Sequence, residues 1–353
     1  MRILYLIKSF DYGGAENHVL DLANTMSEMG NDVYVLAGRG LQAERLSPGV
    51  TFIPLRLKDF LLPFQALYVC NILSRYRIEI IHGHKRIGIL LASIAGWVKK
   101  IPVIATVHGR PRYDLRSLAS RKMTDRIIFV SGTTFEANRH KVSFRNKSVL
   151  IHNGVTISRN NTLKNHYSLV YICRIDKKHA AVISMLINKV LPALIREYPL
   201  VTLQIIGDGK YLEILTEEAA GLNRKFNREI CIFHGFVNDV KPVIAQSGLI
   251  LGVGRVALEA LSCAVPVLSI NRSFLGSLIS RDNYNFYKLN NFVAIDHREP
   301  DPDEIARLLN DYLEDPEFWH SEAGELRKKV ENDLGMQKIA SEIHQLYAEA
   351  CML

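Results

Sequence analysis

The chain has 353 residues, 48% of them hydrophobic and 23% charged, a length that fits two ordinary domains and a composition that supplies each with a packed core. Five scattered cysteines without a C-x-x-C spacing argue against a disulfide framework or a structural zinc site and for a reducing compartment. The net charge of +8 is uneven, since residues 1–165 carry 24 Lys and Arg against 11 Asp and Glu, whereas residues 166–353 carry 20 against 25. The first half is therefore expected to meet something anionic. No helix-turn-helix, zinc-finger or RNP-type signature accompanies that charge, so an anionic membrane face or a phosphate-bearing acceptor fits it better than nucleic acid. No apolar run reaches the roughly 18 residues of a membrane span, the longest being 87–98.

In chain order, strand-like and helix-like stretches alternate. Residues 2–7 (RILYLI) read as a first strand rather than a signal peptide, because Lys8 and Asp11 follow and no small-residue cleavage site does. An amphipathic stretch over 15–29 precedes strands at 32–38 and 50–55; a strand at 78–84 leads into a helical run to Lys100; strands follow at 102–109, 126–131 and 148–155. Residues 156–167 turn polar and read as a linker. Strands resume at 169–176, 202–209, 229–236, 248–254 and 266–271, and the tail from Pro302 reads as three helices with Asp303 and Asp315 as start signals. Short β-branched runs alternating with helical patterns imply two doubly wound parallel sheets, whose ligands bind at the loops beyond the strands' carboxyl ends.

Those loops carry the chemistry. After the first strand stand Gly13 and Gly14, a pair that lets a phosphate approach a helix N-terminus, or simply a tight turn; Glu16 follows in the first helical turn. His108 ends another strand, where it bonds a substrate hydroxyl, acts as a switchable donor, or is a satisfied structural histidine. Lys85, Arg86, Arg110 and Arg112 are cations expected on the side that meets an acceptor or a membrane. His82 and His84 share a strand face without a third metal ligand near in sequence. In the second half Arg174, Lys177 and Lys178 cluster at a strand end, where they suit a diphosphate or form a solvated charge run. Gly207 and Asp208 form the next strand-end turn. The run LILGVGRVALE (249–259) matches G-x-G-x-x-A, yet it follows the fourth strand of its half and no acid stands at the end of the next strand, where Asn271 and Arg272 lie instead. What remains is Gly252 and Gly254 exposing a helix N-terminus, with Arg255 and Val256 at its start and Glu259 inside it.

Taken together, YGGAENHVLDLANTMSEMGNDVYVL, HNGV, the Arg174/Lys178 loop, IIGDG, FHGFVNDV and LEALSCAVPVLSIN resemble, in order and over essentially the whole chain, the family 4 (group 1) retaining glycosyltransferases. The resemblance implies a GT-B fold: two Rossmann-like doubly wound domains facing across a cleft, with C-terminal helices crossing back. It sets an acceptor-binding domain over 1–160, a nucleotide-sugar-binding domain over 161–334 and a returning helix over 335–353. It implies that Arg174 and Lys178 stabilise the departing diphosphate and that His108 lies near the transferred sugar. Gly13, Gly14, Gly207, Asp208, Gly252, Gly254, Arg255, Val256 and Glu259 then line the donor, with Glu259 on its ribose. No metal or other cofactor is implied. Two positions depart from the family pattern: Leu251 stands where its first glutamate is usual, and His179 where its lysine is usual.

The expected activity is transfer of a sugar, with retention, from a nucleotide diphosphate to a membrane-associated or glycan acceptor in cell-envelope polysaccharide synthesis. The expected place is the cytoplasm, peripheral at the inner face of the plasma membrane, where the apolar segment 58–68 (KDFLLPFQALY) would add to the basic half. The alternatives are a nucleotide-sugar epimerase on the same fold, a non-catalytic nucleotide-sugar-binding relative, and an NADP oxidoreductase.

Overall fold

The computed structural model describes residues 1–158, 163–293 and 298–352. It divides into two compact units, one made of residues 1–156 with 334–353 and the other of 157–333.

The first unit runs β1 (Arg2–Ser9), α1 (Gly14–Glu28), β2 (Asp32–Gly38), β3 (Val50–Pro54), α2 (Leu62–Arg75), β4 (Ile80–His84), α3 (Lys85–Lys99), β5 (Val103–Val107), α4 (Leu115–Lys122), β6 (Arg126–Phe129), α5 (Gly132–Glu136) and β7 (Ser148–Leu150). Its sheet is parallel throughout, in the order β3-β2-β1-β4-β5-β6-β7. Alternation along β1 explains why helices cover both faces: Ile3, Tyr5 and Ile7 enter one core with Val19 and Met26 of α1, while Leu4 and Leu6 enter another with Val69 and Leu73 of α2 and Leu91 of α3. The order reverses between β1 and β4, so a crevice is expected beyond their carboxyl ends.

The second unit runs β8 (Asn165–Ile172), α6 (Lys177–Met185), α7 (Leu191–Glu197), β9 (Thr202–Ile206), α8 (Leu212–Phe226), β10 (Cys231–Gly235), α9 (Lys241–Gln246), β11 (Ser247–Gly252), α10 (Arg255–Ser262), β12 (Val267–Ile270), β13 (Leu275–Leu278), α11 (Tyr284–Leu289), α12 (Pro302–Glu314) and α13 (Pro316–Leu334). Its sheet order is β10-β9-β8-β11-β12-β13, parallel except for β13, which pairs antiparallel with β12. The reversal here falls between β8 and β11. The helical run Lys177–Glu197 is long and apolar enough to cross a membrane by length and composition, contrary to the sequence reading. Its Ile183, Leu186, Ile187 and Leu191 are core residues packed with Leu203 and Ile205 of β9, and a π-helical turn over Leu186–Val190 joins its halves. It is a core helix.

The last element, α14 (Met336–Cys351), belongs to the first unit. Met336, Ile339, Ala340, Ile343, Leu346, Tyr347 and Ala350 repeat at helical spacing and enter the core that holds Ile3 and Val19. Val155 bridges to Gly335 and fixes where the helix starts, and the Tyr347 hydroxyl donates to that of Tyr5 at 3.2 Å. Two further sequence expectations shift. The α12 cap is Asp301, whose carboxylate accepts from the Asp303 and Glu304 N–H groups, rather than Asp303. The polar stretch 156–167 gives its last residues to β8, and 159–162 lie outside the described residues.

Ile343 is fully enclosed in this contact, so Ile343→Ala should cost about 2–5 kcal/mol, read by urea unfolding; a loss below about 1 kcal/mol would show that α14 contributes little to the unit.

Candidate functional site

The reversal point of the second unit collects most of the residues expected on the donor side. The β8 strand ends in the loop Cys173–Arg174–Ile175–Asp176, and α6 begins with Lys177 and Lys178. Arg174, Lys177 and Lys178 are exposed, and among the described residues no carboxylate pairs with them. Asp176 caps α6 by accepting from the Lys178 and His179 N–H groups at 3.1 Å each. Desolvation raises the Asp176 pKa, yet the His179 N–H and the Arg272 guanidinium together outweigh it and bring it to about 2. Arg272, after β12, reaches Asp176 past the end of the intervening β11. His179, which takes the family's lysine position, lies 3.2 Å from the same carboxylate, and burial lowers its pKa. It brings no permanent charge, so Lys177, Lys178 and Arg272 are the cations near Arg174.

Beside this loop β11 ends at Gly252, and Gly254 begins α10 without a side-chain cap. Gly254 sits at φ 61°, ψ −127°, a conformation that only glycine adopts without strain, and its N–H donates to the Phe292 carbonyl at 2.9 Å. Asn291 and Phe292 are both left-handed, at φ 54° and 57°; strained non-glycine residues of this kind cluster at ligand sites. One turn into α10, Arg255 Nε donates to Glu259 Oε1 at 2.7 Å, with both side chains nearly enclosed. Val256 lies at the start of the same helix. Leu251 points into the sheet core with Tyr171 and Leu268, so no group at that position faces a ligand. Gly207 has a packing role: a Cβ there would run into the Cys173 carbonyl, and the Asp208 carbonyl accepts from the Ile175 N–H at 3.0 Å. This turn therefore braces the Arg174 loop.

In the first unit Gly13 and Gly14 open α1, and the Glu16 carboxylate folds back against Gly13. Glu16 is buried and pairs with Lys85 across the reversal point. The α1 N-terminus thus already faces a carboxylate. His108 ends β5, its Nε2 3.0 Å from His84 Nδ1, and the His18 ring centroid is 5.3 Å from that of His108. His82 lies 2.5 Å from the Tyr347 hydroxyl and 2.7 Å from that of Thr106. Among the described residues no group of three or more His, Cys, Asp or Glu is placed to hold a metal. Burial, then the neighbouring imidazoles, keep His84 well below its usual pKa; burial, then His18 and Lys85, do the same for His108. His108 is therefore a neutral hydrogen-bonding group at physiological pH rather than a charge switch.

Next to His108 a cavity of about 270 Å³ is lined by Lys85, Arg86, Arg110, Arg112 and Arg121, with Ile89, Val107 and Pro111 as apolar wall. Arg86 pairs with Asp114 at 3.1 Å; the Arg110 and Arg112 side chains have no carboxylate among the described residues. Sequence reasoning named four of these cations and missed Arg121, which stands in no motif. It also missed the Glu16–Lys85 and Asp176–Arg272 pairs, which join residues far apart in sequence.

The Glycosyltransferase Family 4 model matches residues 12–159, and the Glycosyl transferases group 1 model matches residues 166–315. The chain belongs to the family 4, group 1 glycosyltransferases. It is 25% identical to a phosphatidyl-myo-inositol mannosyltransferase of Propionibacterium freudenreichii, over 75% of this chain and 76% of that one. It is 22% identical to the phosphatidylinositol N-acetylglucosaminyltransferase gpi3 subunit of Schizosaccharomyces pombe, over 96% and 78%. Its fold matches that of Anabaena Alr3699/HepE in complex with UDP-glucose, with a TM-score of 0.73 at 18% identity over 99% of this chain and 100% of that one. The fold is GT-B, and the chain is a glycosyltransferase; the dinucleotide reading of 249–259 is set aside.

The buried histidines make stability pH-dependent. Burial lowers the His82 pKa to about 3 and holds those of His84 and His108 well below 6.5. The unfolded chain therefore takes up protons first as pH falls. Stability should be level above about pH 7 and decline below about 6.5, by up to roughly 1.4 kcal/mol per pH unit for each histidine. Urea unfolding between about pH 8 and about pH 5 reads this, and a flat profile would contradict the neutral cluster.

Proposed function

We propose that the enzyme transfers a sugar, with retention, from a nucleotide-diphosphate sugar to a lipid-borne acceptor in cell-envelope glycan synthesis, working as a peripheral protein at the cytoplasmic membrane face. One observation carries the donor half of this reading: Arg174, Lys177 and Lys178, without a carboxylate partner among the described residues, share the β8/β11 reversal point with the Gly252–Gly254 turn and Glu259. As the glycosidic bond breaks, negative charge grows on the departing diphosphate. Cations already fixed beside it lower the barrier without waiting for solvent to reorganise. Glu259, held by Arg255, suits the two hydroxyls of a ribose. This arrangement neutralises a diphosphate with side chains and backbone N–H groups, and we propose that it does so without a metal. Retention rests on the family resemblance, as does the role of His108 as a neutral hydrogen-bonding partner of the sugar. The lipid acceptor is supported by the names of the two relatives and by the surface described next.

On α2, Phe64 and Leu67 are 72% and 70% exposed one turn apart, and Phe60, in the 3-10 turn Asp59–Leu61 just before the helix, is 75% exposed. The opposite face of α2, with Val69, Ile72 and Leu73, is buried. Lys58 lies 5.4 Å over the Phe60 ring. An apolar stripe flanked by cations, on a unit that carries 23 Lys and Arg against 13 Asp and Glu, matches the pattern of helices that lie in an anionic interface.

Thermal shift against UDP-, GDP-, ADP- and TDP-sugars identifies the donor, since a ligand of the native state raises the melting temperature according to its affinity. With that donor, Arg174→Ala should lower kcat/KM by about 100-fold or more while nucleoside monophosphate affinity stays within about twofold; equal loss of both would place Arg174 elsewhere. Phe60→Glu with Phe64→Glu should abolish flotation with vesicles containing phosphatidylglycerol, and undiminished flotation would sink the α2 surface.

A further inference from the structure

Arg121 is the least explained charge in the protein. It is 7% exposed on α4, stacked 4.6 Å over Phe144 and 5.2 Å over Tyr113. Its Nη1 donates to the Arg112 carbonyl at 2.8 Å, but its Nε and Nη2 are enclosed and have no hydrogen-bond partner. No carboxylate forms an ion pair with it among the described residues; the nearest acid, Asp114, is committed to Arg86 and to the Ser117 N–H. Desolvation, only partly offset by Tyr113 and Asp114, lowers its pKa. A guanidinium remains charged in any protein environment, so burying one with two nitrogens unsatisfied is costly unless an anion joins it.

The surroundings supply room for that anion. Arg121 lines the cavity of about 270 Å³ beside His108, which also presents Arg110 and Arg112; the Ser117 and Ser120 hydroxyls at its edge already donate to Asp114 and to the Ser117 carbonyl. With Asp114 answering Arg86, Arg110, Arg112 and Arg121 have no carboxylate among the described residues, a balance that suits a dianion better than a carboxylate. A planar guanidinium fork fits phosphate geometry. The apolar wall of Ile89, Val107, Pro111 and Ile127 leaves space for a short organic group on the phosphate.

We propose that this cavity of the first unit is a phosphate-ester site built on the buried guanidinium of Arg121, with Arg110 and Arg112 closing over the ligand, and that the acceptor carries that phosphate. Naming the ester as the acceptor's rests on the proposed function; the site itself does not. Arg112 serves twice, its carbonyl positioning Arg121 and its side chain reaching the ligand. The 109–114 loop thereby links the buried charge to the surface from which the ester enters.

The test titrates the full-length protein with glycerol 3-phosphate by calorimetry and, separately, floats it with vesicles containing phosphatidic acid. Both are done for wild type, Arg121→Gln and Arg112→Ala. The expected result is glycerol 3-phosphate binding that weakens at least about tenfold in each variant, with melting temperature raised by the ester in wild type and not in Arg121→Gln. If only the vesicles bind, and Arg121→Gln alone weakens that binding while the α2 face is intact, the phosphate is read on a lipid headgroup. The proposal is overturned if folded Arg121→Gln, verified by near-UV circular dichroism, binds both probes as wild type does, or if wild type binds neither. Nucleotide titration separates this from the donor reading: nucleotide binding without ester binding sinks this site alone, and ester binding without nucleotide binding sinks the proposed function alone.

Discussion

The side-by-side pairing of β8 and β11 is the constraint on which the donor side depends. β9 and β10 intervene in sequence, but the sheet sends them to one side and β12 to the other, so the loops after β8 and β11 open next to each other. Nothing local to either loop could bring a cationic strand end to a glycine turn so distant in sequence. The crossover helices make the arrangement rigid, because Ile183 and Leu186 lie in the same core as Leu249 and Leu251 of β11. Gly207 tightens it further, letting the next loop press against Cys173. The cations are thus held by packing well away from their charged tips, which is how like charges can be kept together without carboxylates to neutralise them.

The first unit solves the opposite problem. At its reversal point a carboxylate, Glu16, lies under the glycine pair and is answered by Lys85. Four histidines gather at the same end, and burial keeps three of them, His82, His84 and His108, neutral. Similar topology therefore yields a compensated, nearly neutral crevice in one unit and an uncompensated positive one in the other. Part of the first unit's excess positive charge, Arg110, Arg112 and Arg121, lies on the 109–114 loop and around the cavity it lines.

Much of this was legible in the sequence, because parallel strands buried on both faces announce themselves as β-branched runs; 32–38 coincides with β2 to the residue. The loops were legible too, since glycines and cations at strand ends have few other uses. What could not be read was set by partners far away in the chain. The stretch 58–68 showed apolar residues and cations, yet only the packing of Val69 and Leu73 against β1 decides that one side of α2 is core and the other exposed. The antiparallel β13 is too short to stand out. Arg121 sits on a helix with Arg116 and Lys122 and looks like one more solvated cation; its burial follows from Phe144 and Tyr113 folding around it.

Leu251 sharpens what the donor site asks of its remaining groups. The side chain is enclosed in the core of the second unit, so the departure from the family pattern is a replacement of a ligand-facing carboxylate by a structural residue, with no group taking its place there. The Gly252–Gly254 turn then shares the reversal point with Arg174, Lys177, Lys178 and Arg272, while two acids of that region are committed, Asp176 to Arg272 and Glu259 to Arg255. The turn is itself fixed by backbone: the Phe292 carbonyl, in a left-handed pair with Asn291, accepts from the Gly254 N–H. What this unit offers a ligand is therefore fixed positive charge at the end of β8 and a glycine turn at the end of β11, with no side-chain group at position 251 to add to them.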